Sequence, residues 1–484
     1  MPNKNKKNIS NDNYHWVVFF TVAIALFAMV LDFSIVILAL PTIADQFKVS
    51  LKAVSWVIIS SSLITSAFML PLGAVSDIIG RKKFHISGMI FFVLGAILCY
   101  TSTSLEYLIF GRIIMAIGST MGQSVVFAII VGVFPKDQKG KGLGMITTAV
   151  SIGAASGPLL AGPIINIFGW REIFLVTAVP TFIGIIFAAK ILDEKKLGSI
   201  LRENKSYDFI GSFISIVFLS LLIIVISNPF SYSITNIEFI TMIFFTLVFF
   251  GFYIFWELRI DNPMIDLGLF KSTTFRWSTL TRFLGFVASA PAFLLVPIFV
   301  QSFMGYDETV TGILVFFGAF FMGFSSQFSG RLSDKYGFRK FTSLGMIFII
   351  ISNLSFSFFS QDTSVFIVLI VLIINGFGMG LWMAPNMSAT LASVLPSQYG
   401  STSAFLNLVR NTATVIGQAI STAIITGIML SNNIDVQLSE ISDSINPDIS
   451  STFNYGWDLS FKFSVCVAIL ALFASYKTRE IKND

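Results

Sequence analysis

Apolar residues in this chain gather into long runs parted by short polar segments. A helix needs roughly 20 mostly apolar residues to cross a bilayer. Fourteen windows meet that requirement: 17–40, 54–76, 84–103, 107–134, 142–168, 172–191, 208–226, 237–257, 277–303, 309–330, 341–359, 364–391, 402–430 and 458–476. The pattern predicts an all-α integral membrane protein. The segment MPNKNKKNISNDNYH is polar and leads into a full-length span, so it reads as a tail and not as a cleaved signal peptide.

Polar positions orient the spans. Alternate loops carry Arg81, Lys82 and Lys83, then Lys136, Lys139 and Lys141, then Lys195, Lys196, Arg202 and Lys205. Further on come Arg259, Lys271 and Arg276, and then Arg331, Lys335, Arg339 and Lys340, while both termini add lysines. The intervening loops hold mainly Lys48, Lys52 and Arg171, and the longest, Ser431 to Asp458, is acidic. Positive loops stay cytoplasmic, so an even number of spans with both termini cytoplasmic satisfies the bias throughout.

Composition agrees. Of 484 residues 55% are hydrophobic and only 12% charged, with a mean hydropathy of +0.83, against about 25% charged in ordinary soluble chains. The net charge of +5 lies in short loops between spans, which argues against a nucleic-acid partner. Cys99 and Cys466 fall in separate spans and read as small core residues, leaving no disulfide framework and no metal motif. His15 and His85 lie at membrane edges, which argues against a histidine proton relay.

Within the first run, LDFSIVILALP places Asp32 near the middle of a stretch with no other charge. A carboxylate there costs about 2.5–3.5 kcal/mol on insertion scales and usually faces a cavity or a partner. Arg112, a few residues into the fourth span, is as costly; it either snorkels to a membrane face or tunes Asp32.

One pattern occurs twice. GAVSDIIGRKK (73–83) and GRLSDKYGFRK (330–340) each end the second span of a six-span set. Two halves, 17–191 and 277–476, therefore flank a 192–276 segment of linkers and two extra spans, with tails at 1–16 and 477–484. A duplicated helical unit with its binding site between the halves is a recurring transporter plan. Gly73 and Gly330 permit close helix approach, while Asp77 and Asp334 can accept hydrogen bonds from helix N-termini or nearby cations. With Gly80, Arg81, Lys82, Gly337 and Arg339 they form a candidate latch that holds one end of the two halves together.

These stretches resemble the major facilitator superfamily, and within it the fourteen-span drug:proton antiporter family. The duplicated loop is similar to the superfamily signature, and LDFSIVILALP to the first-span signature. GRIIMAIGSTMG (111–122) resembles the fourth-span motif and GAASGPLLAGP (153–163) the fifth-span antiporter motif. GWREIFLVTAVP (169–180) and YDFIGS (207–212) resemble the family's start of the sixth span and of the central pair. The resemblance implies two six-helix bundles plus the extra pair. It also implies a fifth helix, marked by Gly153, Gly157, Pro158 and Gly162, that seals the cavity against leak.

By alignment of Gly118 with Gly378, the counterpart of Arg112 in the second half is Leu372, so the proton machinery is expected in the first half alone, at Asp32 and Arg112. Candidate cavity residues are Trp56, Ser61, Met115, Gln301, Asn375, Trp382, Asn386, Asn407, Arg410 and Asn411. Asn407, Arg410 and Asn411 share a helix face that either lines the cavity or satisfies interhelical hydrogen bonds. Arg282 reads as a structural residue snorkelling to the cytoplasm near Arg276. Ser61 replaces a common family tyrosine, and the tenth span has no carboxylate, which disfavours a dication specialist.

The expected function is proton-coupled efflux of amphipathic or lipophilic compounds, monovalent cations among them. The alternative is a dedicated exporter of one antibiotic, metabolite or lipid-like molecule; a non-transporting receptor or scaffold fits less well. No enzyme activity and no cofactor are expected. The partners are a small-molecule substrate, protons and the lipid bilayer, with the monomer as the working unit.

Overall fold

The computed structural model describes residues 13–49, 51–135, 138–197, 207–228, 232, 235–261, 263–306, 308–395, 398–432 and 447–479. Fourteen of its helices are long and apolar enough to cross a membrane. The first half comprises α1 (Tyr14–Phe47), α2 (Trp56–Ile79), α3 (Arg81–Tyr100), α4 (Leu105–Val133), α5 (Lys139–Phe168) and α6 (Glu172–Ile191). The extra pair is α7 (Phe209–Ser227) and α8 (Ile237–Glu257). The second half comprises α9 (Thr273–Ile298), α10 (Glu308–Tyr336), α11 (Phe338–Ser357), α12 (Val365–Ala392), α13 (Tyr399–Ser431) and α14 (Pro447–Lys477). Several outrun the bilayer: the 34 residues of α1 extend roughly 51 Å at 1.5 Å per residue.

The sequence repeat is also a repeat of packing. In the first half α1 lies on α5 and α6, α3 on α4 and α6, and α2 on α4; in the second, α9 lies on α13 and α14, α11 on α12 and α14, and α10 on α12. The halves meet through two reciprocal seams, α2 against α13 and α5 against α10. The extra pair stands beside the first of these: α7 packs on α8, α2 and α13. Asp208 holds the pair together at its base. Its carboxylate accepts the Gly211 N–H at 2.8 Å, capping α7, and the Trp256 indole N–H of α8 at 3.1 Å.

Three details depart from the sequence expectations. Helix α14 starts at Pro447, well before the expected span at 458. Phe453, Trp457 and Phe461 recur every four residues, so helix formation presents them on one face. There they stack on Phe299, Phe303 and Phe356, and the Trp457 indole donates to the Phe356 carbonyl at 2.7 Å. Cys466 is exposed and not a core residue, whereas Cys99 is buried. His85 is fully buried, because it lies one turn inside α3 and not at its edge.

Candidate functional site

Asp32 of α1 and Arg112 of α4 meet inside the first half. The guanidinium Nη1 lies 2.8 Å from Asp32 Oδ1 and 2.7 Å from Oδ2, and the two residues are 6% and 2% exposed. Nε of Arg112 donates to the Val57 carbonyl of α2 at 3.5 Å, Nη1 lies 3.5 Å from Met115 Sδ, and the guanidinium sits 5.9 Å from the Phe174 ring centroid of α6. Arg112 therefore does not snorkel. A buried carboxylate and guanidinium neutralise each other and are held by four helices. Met115 belongs to this cluster; Ser61 is buried and donates to Val57, so it stands one turn from the pair along α2.

The cavity candidates of the second half do not form one surface. Asn375, Trp382 and Asn386 are buried within that half. Asn375 donates to Ser352 Oγ and Asn386 to the Ser278 carbonyl, each at 2.9 Å, while Trp382 packs edge-on to Phe286. Amides in an apolar helix turn to neighbouring helices that can satisfy them. Gln301 is exposed in the π-helical turn Phe299–Phe303 that follows α9, and Trp56 opens α2.

Asn407, Arg410 and Asn411 behave differently, since the first two reach the other half. Asn407 Nδ2 donates to the Gln123 carbonyl of α4 and Arg410 Nη2 to Gln123 Oε1, both at 3.3 Å. Arg410 Nε donates to Asn411 Oδ1 at 3.3 Å. Arg282 corrects the snorkelling expectation. It is 2% exposed, because its Nε donates to the Leu406 carbonyl of α13 at 2.9 Å and its guanidinium lies 5.2 Å from the Phe286 ring centroid. Gln123 was not among the sequence candidates; its one signal is an amide far inside an apolar helix.

The two Gly-Asp loops sit at the same end of the molecule, the end rich in Lys and Arg, and that end is closed. Asp334 of α10 reaches across the halves to the start of α5. Its Oδ1 accepts the Gly140 N–H at 2.9 Å and its Oδ2 the Lys141 N–H at 3.2 Å, an N-terminal cap supplied from the other half. A methyl group at Gly330 would strike the Gly140 carbonyl, and one at Gly73 would overlap the Ala404 methyl of α13, so both seams need glycine. Ser326 Oγ donates to the Gly144 carbonyl at 2.9 Å and Thr148 Oγ1 to the Gly323 carbonyl at 2.7 Å. Lys139 Nζ lies 3.5 Å from Tyr399 Oη.

The first copy of the loop uses its cations within its own half and the linker. Glu194 accepts the Arg81 and Lys82 backbone N–H groups at 2.7 and 3.0 Å. Buried Arg81 donates to the Leu197 carbonyl at 2.9 Å, and Lys82 Nζ to that of Ala189 at 3.0 Å. Gly80 and Gly337 turn the chain between helices at φ +102° and +88°, values that favour glycine. Arg339 stacks 3.9 Å over the Tyr476 ring centroid of α14. The side chain of Asp77 lies outside the described residues, as does that of Pro158.

The fifth-span motif faces α1. Gly153 packs against the Phe27 carbonyl and Val30, and Gly157 against Ser34, two residues from Asp32. Gly162 meets open space. At the end opposite the latch, the Trp170 indole N–H donates to Gln46, while Arg171 stacks 4.4 Å over Trp170 and donates to the Ser102 carbonyl at 2.7 Å.

Two pseudo-equivalent six-helix bundles, closed on each other at one end, define a multi-pass membrane transporter and not an enzyme. The chain belongs to the Major Facilitator Superfamily, whose family profile matches residues 22–418. It is 29% identical over 409 residues to the riboflavin transporter RibZ of Clostridioides difficile, covering 84% of this chain and 87% of that one. It is 27% identical over 398 residues to the multidrug resistance protein Stp of Mycobacterium tuberculosis, covering 82% and 73%. In fold it is similar to the human organic anion transporter MFSD10, with a TM-score of 0.66 at 16% identity over 95% of this chain and 99% of that one.

Proposed function

We propose that this protein exports amphipathic or lipophilic compounds across a bacterial cytoplasmic membrane in exchange for protons, by rocking of its halves about a midplane site. The observation that carries this reading is the Asp32–Arg112 pair, buried in one half with no counterpart at Leu372. Burial opposes the charged carboxylate and Arg112 favours it, so altered exposure or a shifted guanidinium moves a proton on or off Asp32. Gly153 and Gly157 pack on α1 beside Asp32 and so can transmit movement of α5 to it.

The basic end is cytoplasmic in this reading, as are both termini, and the closure at that end corresponds to an outward-facing state. The driving force suffices. A charge crossing the membrane gains about 2.3 kcal/mol per 100 mV, so at that potential one proton sustains a gradient of about fiftyfold for a neutral compound. No cofactor is needed. The relatedness to a multidrug resistance protein supports a broad substrate range. The relatedness to a riboflavin transporter favours the second reading, a carrier dedicated to one metabolite.

Inside-out vesicles with a preformed proton gradient, read by a pH-sensitive dye, test the proposal. Substrates dissipate the gradient with the native protein and not with Asp32→Asn. Equal dissipation by both proteins removes Asp32 from the coupling.

A further inference from the structure

Fixed charge in the membrane interior is unevenly distributed. Asp32 and Arg112 cancel. Arg282 and Arg410 do not: among the described residues no carboxylate lies within ion-pair distance of either. They are the tenth residue of α9 and the twelfth of α13, which places them roughly 14 and 17 Å along helices that both start at the basic end. Both therefore stand near mid-depth, where an unpaired cation is costly and marks function.

The two arginines are also neighbours. Arg282 Nε donates to the Leu406 carbonyl, one turn before Arg410 on α13. Its two terminal nitrogens have no hydrogen-bond partner among the described residues. Arg410 has only neutral partners, the side-chain oxygens of Asn411 and Gln123, both at 3.3 Å. Since Gln123 belongs to the other half, Arg410 stands at the interface between the bundles. Phe286, stacked beneath Arg282 and backed by Trp382, adds an aromatic surface next to the charges.

We propose that Arg282 and Arg410 form the anion-recognising element of the transport site, and that the compounds carried are amphipathic acids. Their common chemistry is an aromatic or aliphatic body bearing a carboxylate, sulfonate or phosphate. Such a group exchanges the long neutral contacts of Arg410 for charge-assisted ones, which are shorter and roughly twice as strong, and a guanidinium binds a carboxylate through two parallel bonds. Taking up Arg410 also frees Gln123, so acid binding dissolves one of the bonds that join the halves. Lipophilic cations are poor substrates here, against the sequence expectation that included them. This assignment rests on the transport reading and narrows it.

The test is binding without a gradient, using the full chain in phosphatidylcholine nanodiscs and two dyes with a shared xanthene frame, anionic fluorescein and cationic rhodamine 123. Fluorescence polarisation should show fluorescein bound more tightly than rhodamine 123. Arg410→Gln and Arg282→Gln should each weaken fluorescein binding at least about tenfold, and Arg410→Lys by clearly less than Arg410→Gln, because the charge remains while the two-bond fork is lost. Size-exclusion profiles and helical circular dichroism show which variants are folded, and Arg410→Lys keeps the test open if a glutamine variant is not. Rhodamine 123 binding as tightly as fluorescein, unchanged fluorescein binding in folded Arg410→Gln, or no fluorescein binding at all overturns the assignment. Proton coupling plays no part in this readout. Failure of the vesicle assay with anion binding intact therefore rejects the proton mechanism alone, and the reverse pattern rejects the anion site alone.

Discussion

Asp32 and Arg112 show how a charge becomes tolerable in an apolar interior. Each alone is costly, while together they present a neutral, hydrogen-bonded unit to four helices. Removing one partner strands the other, which costs about 3–5 kcal/mol in buried pairs, whereas replacing both is often close to neutral. Arg112→Leu should therefore lower the thermal midpoint of the detergent-solubilised protein more than the double variant Asp32→Asn/Arg112→Leu does. A double variant less stable than Arg112→Leu would mean that an unpartnered Asp32 carries no burial cost. At this scale the sequence was most legible where charges were rare, because an isolated Asp or Arg in an apolar run must have a reason. It was least legible for amides. Asn375 and Asn386 look like cavity residues by composition, but which neighbour an amide turns to depends on helix rotation, and that is set by packing.

Between elements, glycine and one capping carboxylate do most of the joining. Asp334 caps α5 from the opposite half, and losing a cap typically costs about 0.5–2 kcal/mol. In Asp334→Ala the first-turn amides of α5, Gly140 and Lys141 above all, should exchange hydrogen faster while those in the interior of α4 keep their rate. Unchanged exchange would show that the cap contributes nothing to closure. Gly144→Leu drives a side chain into the Ser326 carbonyl; the halves can then no longer close at the basic end, and transport should fall to background in a protein that still inserts and folds. The duplicated loop made this end recognisable from the sequence. What the repeat hid is where the cations of each copy go: Arg81 and Lys82 meet Glu194 and the linker, while Arg339 stacks on Tyr476 of α14. Equal motifs lie in unequal surroundings once the extra pair is inserted between the halves.

For the whole molecule, the hydrophobic pattern and the repeat determined the span count and the division into bundles, since bilayer thickness leaves few other solutions. Helix ends were less accessible, as α14 shows, because aromatic packing at one end extends a helix past its apolar window. Two rigid bundles closed at one end predict that tying that end stops the cycle. With Cys99→Ala and Cys466→Ser as background, Lys139→Cys paired with Tyr399→Cys, positions whose native side chains meet across the halves at the basic end, should lose transport on cross-linking with a reducible bis-methanethiosulfonate reagent and regain it on reduction. Continued transport by the cross-linked protein would show that the basic end need not open. The aromatic stack that roots α14 has an optical consequence. Trp457 is completely enclosed by its own half, so its surroundings travel with it when the bundles rock. Its emission should stay blue and out of reach of aqueous quenchers in every state. Any change in intrinsic fluorescence when a substrate is added must then come from the other six tryptophans.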